Sequence, residues 1–101
     1  MAVAFMLDAL SIDTFSPLVG QLFEVGEPGR AQALELVSAT AASRASVTAR
    51  TGFSLIFRGT AQSLLPQGTY PVAHAAIGSL PVFIVPVGLD AQGMQYEAIF
   101  N

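Results

Sequence analysis

Residues 53–58 read Phe-Ser-Leu-Ile-Phe-Arg, and this alternation predicts a strand with one face in a hydrophobic core. Residues 96–100, Tyr-Glu-Ala-Ile-Phe, repeat the period of two at the end of the chain. Residues 82–87 form a nearly continuous apolar run that follows Pro81 and contains Pro86. Because proline cannot donate a ladder hydrogen bond, we expect this strand to be bulged or to lie partly at a sheet edge.

Turn residues separate these strands from three weaker candidates at residues 21–25, 33–40 and 69–77. Residues 88–93 contain the Asp and Gly that hairpin loops favour. The strands on either side of this loop should therefore be antiparallel neighbours.

The number of strands and their spacing decide the fold class. Six short strands with turn signals at intervals of about 8 to 12 residues predict an all-β domain, either a small antiparallel β-sandwich or a partly open β-barrel. An N-cap at Asp13 adds at most one short N-terminal helical turn, which runs to Leu18 and ends at Gly20. The length fits a single domain spanning residues 1–101. The strand phases predict a core of Phe23, Val25, Phe53, Leu55, Phe57, Tyr70, Val72, Phe83, Val85, Tyr96 and Phe100.

Residues 41–51 differ from the rest of the chain, because they are rich in small polar residues and carry Arg44 and Arg50. We expect a mobile loop in this segment. It is either a solvated connection between strands or a docking loop that becomes ordered on assembly.

The composition predicts an assembly protein. Hydrophobic residues make up 52% of the chain and charged residues only 11%, whereas a soluble small domain usually has a surface of about 25–35% charged residues. A chain this short buries only about 65% of its surface by folding alone. We therefore expect other protein chains to cover part of the remaining apolar surface.

Charge and cysteine content exclude several classes of partner and site. The formal net charge is −3, and the four basic residues are all arginine. The basic surface typical of a nucleic-acid-binding protein is therefore missing. The absence of cysteine excludes a disulfide framework and a zinc-thiolate site.

The sequence leaves the localisation open. The apolar N-terminus lacks the basic residues of a signal peptide and is interrupted by Asp8. The longest apolar run, residues 80–89, is too short for a membrane-spanning helix, which needs about 20 residues. We therefore expect no membrane span. We expect the protein to be made in the cytoplasm, from which it could be incorporated into a virion-like or extracellular assembly.

The residue pattern predicts neither an enzyme nor a cofactor or metal site. His74 is the only histidine, and a lone histidine on a strand face is more typical of packing than of catalysis or ligation. No nucleophile elbow, glycine-rich phosphate loop or set of alternating calcium-binding carboxylates is present.

Four segments of the C-terminal half carry a resemblance to a known family: residues 52–59, 65–70, 81–87 and 96–101. Together with the opening segment Phe-Ser-Pro-Leu-Val-Gly-Gln-Leu-Phe at residues 15–23, they resemble a small bacterial domain family of unknown function. We associate such proteins with neighbours similar to phage tail-collar and tail-fibre proteins. The resemblance implies a structural part of a virion-like or filamentous assembly and supplies no catalytic residues.

We therefore expect a structural subunit that self-associates, as a ring or helical polymer, or docks on tail-like assembly components. The alternative is a small ligand- or glycan-binding module on a face with Tyr70, His74 and Tyr96. Arg58 and Glu97 could form a cross-strand ion pair, remain solvated or contact a neighbouring subunit. The candidate interface residues are Arg44, Arg50, Arg58, Val82, Ile84, Leu89 and Glu97.

Overall fold

The computed structural model describes residues 11–41, 52–60 and 65–100. It contains one short helix, α1, a 3₁₀ turn and six strands. Their bounds are α1 Ile12–Phe15, the 3₁₀ turn Ser16–Leu18, β1 Leu22–Val25, β2 Gln32–Ala41, β3 Phe53–Gly59, β4 Gly68–His74, β5 Gly78–Asp90 and β6 Gly93–Phe100.

The six strands close into an antiparallel barrel in the order β1-β2-β3-β6-β5-β4. The predicted all-β fold with a short N-terminal helical turn is confirmed. Of the two architectures that the sequence allowed, the barrel is the one that forms, and it is fully closed. A register shift between β5 and β6 follows Pro86, whereas Pro81 pairs in register with Pro71 of β4 at a point where β5 has no β6 partner among the described residues.

The barrel consists of two three-stranded meanders, β1–β3 and β4–β6, which meet at two seams. The β3–β6 seam holds seven residue pairs, from Phe53 with Phe100 to Gly59 with Met94. The β1–β4 seam holds only two, Glu24 with Ala73 and Val25 with Val72. The second seam is therefore the weaker of the two closures.

Side chains from all six strands fill the barrel. The alternation in β3 buries Phe53, Leu55 and Phe57, as predicted. The prediction is also confirmed for Phe23, Val25, Val72 and Tyr96, whereas Tyr70 and Phe100 are half-buried and pack against the core. The core that the sequence missed comprises Phe15, Leu18, Leu34, Leu36, Leu65, Ile77, Leu80, Val82, Ile84 and Ala98.

The phase predicted for β5 is wrong. Val82 and Ile84 point inward, with 6% and 0% of their surface exposed, whereas Phe83 is 50% exposed and Val85 is half-buried. Residues 82–87 contain no polar side chain that would mark the outward side of β5, so the local sequence does not indicate which residues point into the core.

Each end of the barrel is closed by residues outside the strands. At one end, the ring of Phe15 from α1 lies 5.8 Å from that of Phe53 and 5.6 Å from that of Phe100. At the other end, the buried Leu65 donates its backbone N–H to Oη of Tyr96 at 2.9 Å. The N-cap of α1 is Ser11, not Asp13 as predicted, because Asp13 already lies inside the first turn.

Two further predictions concern the chain outside the barrel wall. Ala41 belongs to β2, so the predicted loop begins later than expected. The rest of that loop, including Arg44 and Arg50, lies outside the described residues. Across residues 11–41, 52–60 and 65–100, no helix is long and apolar enough to cross a membrane.

Candidate functional site

An apolar face on the outside of the barrel is the first candidate interaction surface. We call it the outer face and define it as Ile56 of β3, Phe83 and Val85 of β5, and Glu97 and Ile99 of β6. Ile56 pairs with Glu97, which pairs in turn with Val85, so these three form one row across three strands. Phe83 and Ile99 are the next outward residues along β5 and β6, with 50% and 63% of their surface exposed.

Glu97 is the single charged residue of the outer face. It is half-buried, and within the described part of the chain it has no ion pair or side-chain hydrogen bond. The suggested ion pair with Arg58 is not formed, because the register sets Arg58 opposite Gln95 and Ile56 opposite Glu97. A carboxylate between two aliphatic side chains leaves the outer face able to select a partner with a complementary positive charge.

Arg58 instead joins a polar cluster at the β5–β6 hairpin. Its Nη2 lies 3.5 Å from Oδ2 of Asp90, which also accepts a hydrogen bond from Nε2 of Gln95 at 2.8 Å. Oδ1 of Asp90 accepts the backbone N–H of Gln92 at 2.8 Å. The hydrogen bond from Gln92, followed by the nearby Arg58 guanidinium, lowers the pKa of Asp90 below its usual value. The cluster therefore fixes the hairpin through a carboxylate that remains ionised.

A shallow groove at the β1–β4 seam is the second candidate surface. We call it the seam groove; it has a volume of about 570 Å³ and is lined mainly by Leu22 and Glu24 of β1, Ala73 and His74 of β4, and Ser79 of β5. It exists because the β1–β4 ladder ends at the pair of Glu24 and Ala73. Leu22, just beyond that pair, is 64% exposed.

His74 lines this groove and is held in place by contacts within the chain. Its Nδ1 accepts the backbone N–H of Ala76 at 2.9 Å, so in this arrangement the ring proton is on Nε2, which lies 2.8 Å from Oε1 of Gln21. The ring also packs on that of Phe23 with a centroid distance of 4.7 Å. Both nitrogens are engaged within the chain, and this arrangement fits a packing role rather than ligation or base catalysis.

The structure separates the remaining candidate residues. Val82 and Ile84 lie inside the barrel and are not contact residues of the folded subunit, which corrects their assignment to an interface. Leu89 is 65% exposed but sits at the hairpin end of β5, outside the outer face. Tyr96 is fully buried, so it shares no surface with Tyr70 and His74.

Sequence reasoning overlooked Ile99 and the seam groove. Ile99 alternates with the inward Ala98 and Phe100, so the period of two in β6 was a sufficient signal for its outward direction. The groove had no such signal, because it depends on where two strands distant in sequence stop pairing.

The fold and these surfaces define a small closed β-barrel domain with an apolar outer face and a groove at its weaker seam. Within the described residues, no group of three or more His, Cys, Asp or Glu side chains is placed to hold a metal ion. The chain belongs to the family described as a domain of unknown function (DUF6916), whose model matches residues 10–100. The expected membership of a family of unknown function is thus confirmed, while the match shows no association with phage tails. No curated protein and no solved structure matches the chain significantly.

Proposed function

We propose that this domain is a structural subunit that self-associates through its outer face. The observation that carries the proposal is the exposure of Phe83 and Ile99, at 50% and 63%, beside the aliphatic Ile56 and Val85. Exposed apolar patches of this kind on a small domain mark sites of protein interaction. The wider expectation of a phage tail-like or filamentous assembly is part of this proposal and rests on the sequence resemblance.

The energetics of the outer face favour weak association unless other contacts contribute. Complete burial of the exposed parts of Phe83 and Ile99 would contribute about 2–3 kcal/mol per copy. Association itself costs roughly 4–15 kcal/mol, and a stable interface usually buries about 800 Å² per partner. The outer face therefore supplies an anchor, and a stable assembly requires a second, complementary surface.

Light scattering of the purified domain over a range of micromolar concentrations tests the proposal. We expect the average mass to rise with concentration, and we expect Phe83→Ser and Ile99→Ser to lower it at every concentration. Leu89→Ser is the matched control, because Leu89 is equally exposed but lies outside the outer face.

Two results would count against the proposal. A wild-type protein that stays monomeric at high micromolar concentration would remove self-association altogether. Dissociation by Leu89→Ser, with no effect of Phe83→Ser or Ile99→Ser, would place the contact at the hairpin end instead.

A further inference from the structure

We propose that subunits join head to tail, with arginine side chains of residues 42–51 of one copy binding in the seam groove of the next. This inference rests on the proposed self-association and names its second surface. The group bound by the seam groove is the guanidinium of an arginine, whose aliphatic stem packs on an exposed leucine.

The seam groove has the features that an arginine side chain requires. Glu24 lines the groove two residues from Leu22 on the same outward face of β1, and Glu35 of β2, outside the groove lining, pairs with Leu22 from the other side of β1. Neither carboxylate has an ion pair or side-chain hydrogen bond within the described part of the chain. Glu35 also pairs in register with Arg58, but the Arg58 guanidinium is directed to Asp90. Two unpaired carboxylates beside Leu22 thus suit a guanidinium, whose methylene stem can cover apolar surface.

The chain itself contains the complementary cations. Arg58 is already paired with Asp90, and Arg30 lies in the β1–β2 turn without an ion pair in the described structure. The other two arginines, Arg44 and Arg50, both belong to the segment between β2 and β3. This segment has two positive charges and no negative charge, in a chain with a net charge of −3.

Strand geometry favours a second copy over the same chain as the source of Arg44. Ala41, the last described residue before the segment, lies six positions after Glu35 on β2, roughly 20 Å away along the strand. From Ala41 to Arg44 the chain spans at most about 10 Å. The Arg44 side chain would then have to run back along the outside of its own barrel, whereas a neighbouring copy has no such constraint.

The positions of the two surfaces make the contact directional. The segment connects Ala41 of β2 to Phe53 of β3, and the next outward residue of β3, Ser54, pairs with Ile99 of the outer face. The arginine segment and the outer face therefore start from neighbouring positions. The groove is centred on the β1–β4 seam, and β1 lies three strands from β6 in either direction around the barrel, although Ser79 at the start of β5 also lines the groove. A contact between two different surfaces of identical subunits is heterologous and generates a ring or a helical polymer rather than a closed dimer.

Complementation between charge-reversed variants tests this contact. One variant carries Arg44→Glu and Arg50→Glu, and the other carries Glu24→Lys and Glu35→Lys. We expect each variant alone to need at least a tenfold higher concentration than wild type to reach the same average mass, and the wild-type assembly to weaken as salt is raised. A 1:1 mixture should assemble again, because every joint then brings opposite charges together.

The control variant carries Asp13→Lys and Glu27→Lys, which changes the net charge as much as the groove variant does but leaves the groove intact. It should assemble like wild type, and circular dichroism of each variant verifies the fold. Arg30→Glu tests the remaining unpaired arginine and should have no effect.

The outcomes separate this inference from the proposed function. A monomeric wild-type protein would overturn both. Wild-type assembly that is sensitive to Phe83→Ser but unaffected by the groove variant would overturn the head-to-tail contact alone. Two non-assembling variants that do not restore assembly on mixing would also overturn it, because the charges would then not meet across subunits.

Discussion

The sharpest test of the barrel is a comparison of two neighbouring residues in β5, Phe83 and Ile84. Ile84 has none of its surface exposed and lies in the core, whereas Phe83 is 50% exposed on the outer face. Ile84→Ala removes buried carbon atoms and leaves a cavity, which typically costs about 2–5 kcal/mol. Phe83→Ala loses only the buried half of a side chain whose full burial contributes about 1.5–3 kcal/mol, so it should cost about 1 kcal/mol.

Urea and thermal unfolding followed by circular dichroism measure both changes. For a domain of this size, each kcal/mol lowers the melting temperature by about 4–8 °C. We therefore expect a decrease of about 8–40 °C for Ile84→Ala and less than about 8 °C for Phe83→Ala. Because association stabilises the folded state by mass action, the comparison must be made at the lowest usable concentration.

Ile84→Val keeps the test usable if the alanine variant does not fold. It removes one methyl group from the core and should cost about 0.5–1.5 kcal/mol. Equal destabilisation by Phe83→Ala and Ile84→Ala, or the opposite order, would show that the inward and outward sides of β5 are assigned incorrectly. In light scattering the order should reverse: Phe83→Ala should impair association more than Ile84→Val does.

Three further predictions concern single contacts. Tyr96→Phe should cost about 1–3 kcal/mol in urea unfolding because it leaves the buried N–H of Leu65 without its hydrogen-bond acceptor, and an unchanged midpoint would contradict that bond. Asp90→Asn should reduce the loss of stability in acid. The Gln92 hydrogen bond lowers the pKa of Asp90 in the folded state. The contribution of the Asp90 carboxylate to the free energy of unfolding is therefore present above the unfolded-state pKa and disappears as the pH falls through the folded-state pKa. Identical pH profiles of the two proteins would refute this. Gly93→Ala should abolish soluble expression or lower the melting temperature strongly. Gly93 has φ +136°, and a Cβ atom there would collide with a backbone oxygen of β3. A variant with wild-type stability would contradict this packing.

The parts of the fold that the sequence predicted correctly are those in which polar residues mark one face of a strand. In β3, Ser54 and Arg58 alternate with the three buried residues, and this alone fixes the inward set. In β6, Glu97 does the same for Tyr96 and Ala98. These two strands then pair with each other along their length, so local pattern and tertiary contact agree.

The phase of β5 and the seam groove could not be obtained in the same way. From Leu80 to Leu89 no side chain of β5 is polar, and a register shift near Pro86 interrupts the period of two. The inward side of β5 is therefore selected by its pairing with β4 and β6. The groove likewise depends on barrel closure, because Leu22 is exposed only where β1 and β4 diverge.

Barrel closure also determines how subunits can associate. Strand addition, a common route to β-protein polymers, needs an edge strand with unpaired backbone groups. Each described strand of this barrel is paired on both sides along at least part of its length, so side chains on the outside must provide most of the contact. Within the described residues, parts of β2, β4 and β5 have a partner on one side only. At the β1–β4 seam beyond Glu24 and Ala73, the ladder stops and the seam groove opens. Incomplete backbone pairing coincides there with carboxylates beside an exposed leucine, so a partner segment bound in the groove could gain backbone as well as side-chain contacts.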